Sequence, residues 1–174
     1  VLYTASSTAY NPPSDPGGSG GRRWGDYSYT SLDPLDDMTM WTVQMFCDVA
    51  NSYGVRVAKL IAPPPATPSS IPDVTAGNDP VNVTLTGAVV SGSGFYDPGA
   101  DLPGVPAFSH LSVSIINGGA TGTLPTVTSA TYVNPTTVNL VLNAAAATAN
   151  IAAEKYTVVV TTPDGQSTKA AVLR

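Results

Sequence analysis

Residues Val81 to Gly87 read VNVTLTG, with an apolar side chain at every second position and Asn or Thr between them. This period of two places one set of side chains on each face of an extended strand. The same alternation recurs in LSVSI (residues 111–115) and YTVVVTT (residues 156–162). Strands with one apolar face bury that face against another sheet, so the pattern predicts an all-β chain containing a β-sandwich.

Short strands at even spacing extend this pattern over the second half of the chain. We predict strands at residues 81–90, 111–117, 125–133, 137–143 and 156–162, separated by turn signals such as SGSG, NGG, NP and PDG. That spacing is typical of a sandwich. The Ala-rich stretch 143–155 has helix propensity but no apolar stripe, so we interpret it as a connection with room for one helical turn.

The first half of the chain has a different organisation. Residues 1–21 predict an N-terminal strand followed by a flexible Pro/Gly-rich arm, and residues 22–62 predict a small β segment. The sequence APPPATPSSIP favours a stiff polyproline-type spacer over residues 63–73. The predicted domain order ends with the sandwich, residues 74–174. The apolar start VLYTASSTAY resembles the interior of a strand, so we expect a processed chain or a fragment.

Composition limits the functional classes. Charged residues make up 11% of the 174 positions, against about 25% in an average soluble domain, and the net charge is −5. Because basic residues are not clustered, we expect no nucleic-acid partner. No apolar run approaches the roughly 20 residues that span a bilayer, so we expect no membrane insertion. The single cysteine, Cys47, excludes an intrachain disulfide and is expected to be a buried small hydrophobe, with a reactive thiol as the alternative.

The C-terminal hundred residues resemble a TIG-type (IPT) immunoglobulin-like domain. The matching pieces, in chain order, are VTAGNDPVNVTLTG, GSGFYDPG, LSVSIINGG, TSATYVNPTTVNLVLN and YTVVVTTPDGQST. The Gly92-x-Gly94-Phe95 element and the closing strand with its Pro-Asp-Gly turn are the most specific of them. The insertion after Asp97 and the Ala-rich connection depart from the usual pattern. The resemblance implies an immunoglobulin-like sandwich over residues 74–174.

Residues 22–64 resemble the terminal portion of secreted bacterial β-propellers of the BNR/sialidase-like group. The resemblance is carried by RRWGDYS (residues 22–28), DPLDD (residues 33–37) with Trp41, and YGVRVAKLIAPPP (residues 53–65). It covers about one blade and implies a bacterial protein that is secreted or lies at the cell surface. A sialidase site needs an arginine triad and further residues from several blades, which this chain does not contain. The resemblance therefore implies architecture and no catalysis.

Four carboxylates lie close together at Asp26, Asp33, Asp36 and Asp37. They are compatible with a tight turn, a calcium site or a pair of acid/base groups. The turn is favoured, because Pro34 fixes φ and Asp side chains accept hydrogen bonds from nearby backbone amides. Calcium needs six to eight oxygens, and the Gly-punctuated ladder of a calcium loop is missing. Structural calcium at Asp33, Asp36 and Asp37 remains the weaker alternative, and no other cofactor is expected.

Catalysis is not expected from the residue inventory. The chain has one His (His110), one Glu (Glu154) and one Cys. No nucleophile–base–acid set can be assembled from these residues. His110 is interpreted as a surface or strand-edge imidazole. A sugar-binding platform of Trp24, Tyr27 and Trp41 is a further candidate, although aromatic residues more often pack in a core.

The small β segment suggests self-association. A small sheet with open edges is marginal in water, because its edge strands leave backbone groups unpaired. We expect another copy of the chain to complete it by strand addition, which gives a filament when the contact is heterologous. The expected donor strand has Val1, Leu2, Tyr3, Ala5, Ala9 and Tyr10 as its assembly residues. The sequence thus predicts a secreted, non-enzymatic structural or adhesive subunit that binds its own copies. The alternative is a carbohydrate-binding or spacer fragment of a secreted propeller-type glycoside hydrolase, with surface carbohydrate as its partner.

Overall fold

A computed structural model describes residues 5–13, 24–25, 28–90, 94–117, 122–148 and 156–173. All regular elements in these ranges are β-strands, so the predicted all-β class is confirmed. No helix in the described ranges has the length and apolar character that crossing a membrane requires. The chain divides into two compact units, one of residues 1–33 with 39–61 and one of residues 34–38 with 62–174.

The first unit contains a three-stranded antiparallel sheet, here called the small sheet. Its strands are β1 (Tyr29–Leu32), β2 (Met40–Phe46) and β3 (Gly54–Leu60), in the order β1-β2-β3. Strand β3 lies within the stretch Tyr53 to Ile61, whose first half alternates apolar and basic residues. Its register pairs Val57 with Val43 and Lys59 with Trp41.

Among its described residues, the second unit has seven strands, which form a sandwich. Its strands are β4 (Thr67–Ser70), β5 (Val81–Ala88), β6 (Ser112–Ile116), β7 (Thr126–Asn134), β8 (Thr137–Asn143), β9 (Tyr156–Thr161) and β10 (Ser167–Leu173). One sheet has the order β4-β5-β8-β7 and the other β10-β9-β6. With the strands lettered A to G in chain order, these are the A-B-E-D and G-F-C sheets of a constant-type immunoglobulin domain. The predicted β-sandwich is therefore the observed architecture.

The core of the sandwich comes from the alternation that first indicated strands. On β5 the buried residues are Val83 and Leu85, while Asn82, Thr84 and Thr86 are exposed. The other strands add inward-facing residues in the same way, and the cluster includes Phe95, Val113, Val138, Leu140, Leu142, Val158, Val160 and Leu173. Two sheets that cover each other's apolar faces need no outside partner for their core.

The segment predicted as a spacer is instead partly built into the sandwich. Within residues 63–73, β4 pairs with β5, and Pro65, Ala66, Pro68 and Ile71 are buried. Proline is compatible with this position because β4 is an edge strand, where a missing amide donor costs little. Thr168 Oγ1 also donates a hydrogen bond to the Ala66 carbonyl at 2.7 Å. The spacer interpretation is thus wrong for residues 65–71.

The described part of the predicted N-terminal strand is not a strand. Residues 5–13 form no ladder and instead follow the β2–β3 connection of their own chain. The Ser7 amide donates to the Cys47 carbonyl at 2.9 Å, and the Asn51 amide donates to the Ala9 carbonyl at 3.3 Å. Ala5 and Ala9 are exposed, and Tyr10 is half-buried. The other expected assembly residues, Val1, Leu2 and Tyr3, lie outside the described residues.

Candidate functional site

The small sheet carries an unusually apolar exposed surface. Register places Tyr29, Val43 and Val57 side by side, with Trp41 two residues from Val43 on the same face. Tyr29 is 68% exposed, Trp41 39% and Val57 60%. We call this surface the Trp41 face. Scattered apolar side chains are ordinary on a protein surface, but a contiguous group on one face indicates a contact surface.

Trp41 is held in place by charged neighbours. Its Nε1 donates a hydrogen bond to Asp33 Oδ2 at 2.9 Å. The Lys59 ammonium, directly across on β3, lies 5.8 Å from the centroid of the indole ring, within cation–π range. The ring is therefore fixed in orientation while more than a third of the side chain remains open to solvent.

The outer edge of β3 is the second feature of this unit. In the described part of the chain, β3 pairs only with β2, and β1 pairs only with β2, so each has an edge without a strand partner. Val55 and Val57 on β3 are both more than half exposed. The opposite face carries Arg56, whose guanidinium lies 4.7 Å from the Phe46 ring centroid. An exposed seven-residue edge strand is a template for pairing with another chain.

The structure describes two of the three residues of the predicted aromatic platform, Trp24 and Trp41. Trp24 lies outside the three strands of the small sheet and packs against Tyr10, with ring centroids 4.9 Å apart and planes at 52°. Tyr27 lies outside the described residues. Trp41 is exposed as the platform requires, and its aromatic neighbour across the β1–β2 ladder is Tyr29. The period of two in YTSL and MWTV, once aligned as a hairpin, is the signal that pairs them.

The Asp-rich turn directs its carboxylates to separate donors. Asp33 accepts from the Trp41 indole, Asp36 Oδ1 accepts from the Met38 amide at 2.8 Å, and Asp37 Oδ2 accepts from the Tyr96 hydroxyl at 2.7 Å. The Asp36 contact is the local backbone hydrogen bond on which the turn interpretation depends. Within the described ranges, no three His, Cys, Asp or Glu side chains are grouped so that they could hold a metal ion.

Tyr96 lines a cleft in the second unit that the sequence did not reveal. Burial and the hydrogen bond to Asp37 raise the pKa of Tyr96 to about 12, so the phenol remains a donor at neutral pH. The cleft has a volume of about 370 Å³ and is also lined by Tyr132 and Pro135. Asp37 adopts a φ of 51°, a conformation that Asp tolerates better than most residues.

His110 joins two carboxylates across a long loop. Its Nδ1 lies 3.2 Å from Asp97 Oδ2, and its Nε2 lies 3.3 Å from Asp101 Oδ1. The hydrogen bond to Asp97, with a smaller contribution from Asp101, raises the pKa of His110 above its ordinary value. Asp97 also accepts from the Leu111 amide at 2.8 Å, and Asp101 from the Phe108 amide at 2.7 Å. These hydrogen bonds hold the two ends of the loop between residues 97 and 111 together.

His110 and Cys47 lie in surroundings that favour structural roles. Among the described residues, the ring of His110 contacts carboxylates, and no serine, threonine or cysteine side chain is hydrogen-bonded to it. Cys47 is 1% exposed, and its Sγ lies 3.0 Å from the Ser52 carbonyl oxygen and 3.2 Å from that of Val49. This burial agrees with the interpretation of Cys47 as a small hydrophobe.

Comparisons with family models, with curated proteins and with solved structures give no match to this chain. The surfaces described above are therefore the features that can indicate a function.

Proposed function

We propose that the chain is a secreted, non-enzymatic structural or adhesive subunit whose copies associate by β-strand addition into an extracellular filament. One observation carries this proposal: β3 presents a seven-residue edge without a strand partner in the described chain, and its Val55 and Val57 are more than half exposed. The likeness of residues 22–64 to a propeller blade and of residues 74–174 to a TIG-type domain supports a bacterial surface location.

The partner of β3 that we propose is β1 of the next copy. Ser7 and Ala9 of the expected donor strand, and Asn11 directly after it, are hydrogen-bonded to residues 47–51 of their own chain, so this backbone is not free to pair elsewhere. Among the described residues, β1 has no strand partner on its outer edge. It contains no charged residue, whereas β3 carries Arg56 and Lys59. Pairing β3 with β3 would bring like charges together, which costs free energy. Pairing β3 with β1 is a heterologous contact. Each added copy brings a further β3 and β1 edge, so the assembly can continue to grow.

The distribution of charge also favours contact through the first unit. Residues 1–33 and 39–61 contain four basic and four acidic residues, so this unit has no net charge. The chain's net charge of −5 is accordingly carried by the second unit. Copies that meet through their first units avoid the long-range repulsion that acidic surfaces create.

Val57→Lys tests this proposal. The side chain is 60% exposed, so the folded chain accommodates lysine, while a further charge on an edge strand opposes pairing. The matched control is Val105→Lys, at a 55% exposed valine in the loop before β6. Multi-angle light scattering at increasing concentration should show growing oligomers for the wild type and the control, and monomers for Val57→Lys. A wild type that stays monomeric at every concentration would refute the proposal.

Removing residues 1–4 identifies the donor strand. If β1 is the donor, the truncated chain associates as the wild type does. Loss of association would instead assign the donor role to the N-terminal residues Val1, Leu2 and Tyr3. Negative-stain microscopy of the same samples separates filaments from closed rings, since only a heterologous contact that fails to close yields filaments.

A further inference from the structure

We propose that the Trp41 face binds an uncharged polysaccharide by stacking sugar rings on Trp41 and Tyr29. This function is separate from strand addition, because it uses a face of the small sheet and not its edge. Flat, fixed aromatic rings offer large apolar contact at a small entropic cost, which suits the apolar faces of hexoses.

The register of the small sheet sets the spacing of the two rings. Tyr29 is paired with Val43 and Ser31 with Trp41, so Tyr29 and Trp41 are diagonal neighbours on adjacent strands. Diagonal neighbours on one face are separated by roughly 7–8 Å at the backbone, within reach of aromatic side chains. Two rings at that spacing can contact successive sugars of one chain.

Polar groups around Trp41 match the hydroxyls that such a ligand presents. Asp33 supplies a carboxylate acceptor, Lys59 an ammonium donor, and Ser31 lies opposite Trp41 on β1. A few polar groups around an apolar contact surface are the usual composition of a binding site for small or linear ligands.

The charges next to Trp41 favour an uncharged ligand. Among the described residues, the Asp33 carboxylate accepts from the indole N–H and the Lys59 ammonium lies over the ring, so the charges in contact with the indole are balanced. A polyanion would gain from Lys59 but be repelled by Asp33, and a polycation would meet the reverse arrangement. A neutral polysaccharide can use both groups through hydrogen bonds without desolvating an unpaired charge of its own.

Affinity electrophoresis in gels cast with hydroxyethyl cellulose, xylan or galactomannan tests the proposal. The protein is loaded below the concentration at which it associates, so polysaccharide binding is measured independently of assembly. We expect at least one of these polymers to retard the wild type. Trp41→Ala should weaken that retardation at least tenfold in apparent affinity, and Trp41→Phe should restore part of it, which a role in folding alone would not explain.

Trp24→Ala is the matched control, because Trp24 is 41% exposed, lies outside the three strands of the small sheet and packs on Tyr10. It should bind as the wild type does, and Tyr29→Ala should fall between the wild type and Trp41→Ala. The proposal is overturned if none of the three polymers retards the wild type, or if Trp41→Ala and Trp24→Ala behave alike. Stronger retardation by the polyanion polygalacturonate than by any neutral polymer would overturn the assignment of an uncharged ligand.

Discussion

Replacing Gly87 by alanine should destabilise the sandwich, because the new methyl group has no room. A Cβ at residue 87 would lie 2.7 Å from Phe95 Cε2, nearer still to Phe95 Cζ, and 3.0 Å from the Ala66 Cβ. Phe95 is 2% exposed, so its ring cannot move into solvent to relieve the clash. Overpacking of this kind costs about 1–3 kcal/mol in the free energy of unfolding.

A double-mutant cycle isolates this contact. Phe95→Leu removes about three buried carbons, which costs roughly 2 kcal/mol at about 0.8 kcal/mol per buried CH₂. In Gly87→Ala/Phe95→Leu, the methyl group occupies part of the space that the ring leaves. We therefore expect the double variant to be more stable than the sum of the single effects predicts, by about 1 kcal/mol.

Urea denaturation followed by far-UV circular dichroism measures all three free energies. Both tryptophans lie outside the sandwich, so their fluorescence reports the first unit separately. Gly54→Ala is the matched control: its Cβ would lie 3.0 Å from Phe46, but that ring is only half-buried and can shift, so a smaller loss is expected. The clash would be refuted if Gly87→Ala left the free energy of unfolding unchanged. It would also be refuted if the losses of the two single variants summed to that of the double variant within about 0.3 kcal/mol.

Three further predictions concern single side chains. The pKa of His110 measured by NMR should lie above that of a free histidine, and Asp97→Asn should lower it. Because the folded-state pKa is raised, the interaction of His110 with Asp97 stabilises the fold fully below the unfolded-state pKa of about 6.5. This stabilisation is lost as the pH rises through the folded-state pKa. Cys47 should react with a thiol reagent only after denaturation, because it is 1% exposed. Gln166→Ala should cost about 1 kcal/mol in urea unfolding, because Nε2 of Gln166 donates to the Ala62 carbonyl at 2.7 Å.

Each of these predictions has a distinct contrary result. Asp73→Asn, at an exposed carboxylate, should leave the His110 titration unchanged, so equal shifts from Asp73→Asn and Asp97→Asn would remove the assigned cause. Rapid labelling of Cys47 in the native protein would contradict its burial. Gln166→Glu keeps the length of the side chain but has no N–H to donate; a loss confined to Gln166→Ala would show that packing, not the hydrogen bond, stabilises the contact.

The strands that alternate cleanly could be predicted from the sequence. The predicted range 137–143 coincides with β8, and the range 156–162 exceeds β9 by one residue. Each has valine or leucine on the buried face, where burial supplies most of the stabilisation. The apolar and polar residues of β8 and β9 alternate because one face of each strand packs against the opposite sheet and the other face does not.

The strands that were missed have weaker local patterns. β4 contains Pro68, which argues against a strand unless the edge position is already known. β10 reads STKAAVL, in which small and charged residues obscure the period of two. Both form because β5 and β9 present ladders to pair with, which is information that no local window contains.

The candidate sites divide in the same way. Trp41 is recognisable from its residue type, but its pairing with Tyr29 depends on the hairpin register. The contacts of His110 with Asp97 and of Asp37 with Tyr96 join residues 13 and 59 positions apart. Such contacts follow from loop closure in the folded chain, and composition or spacing does not indicate them.

The two proposed activities of the small sheet are compatible because they use different parts of it. Strand addition uses backbone groups in the plane of the sheet, whereas sugar stacking uses side chains that project from the Trp41 face. Apolar side chains such as Val57 and Tyr29 lie more than half exposed on that face, a cost in solubility that contact with a partner offsets. A filament joined at strand edges would present one Trp41 face for every copy. Weak single sites repeated along it would then bind a long polysaccharide tightly, because each site after the first engages at a high effective concentration.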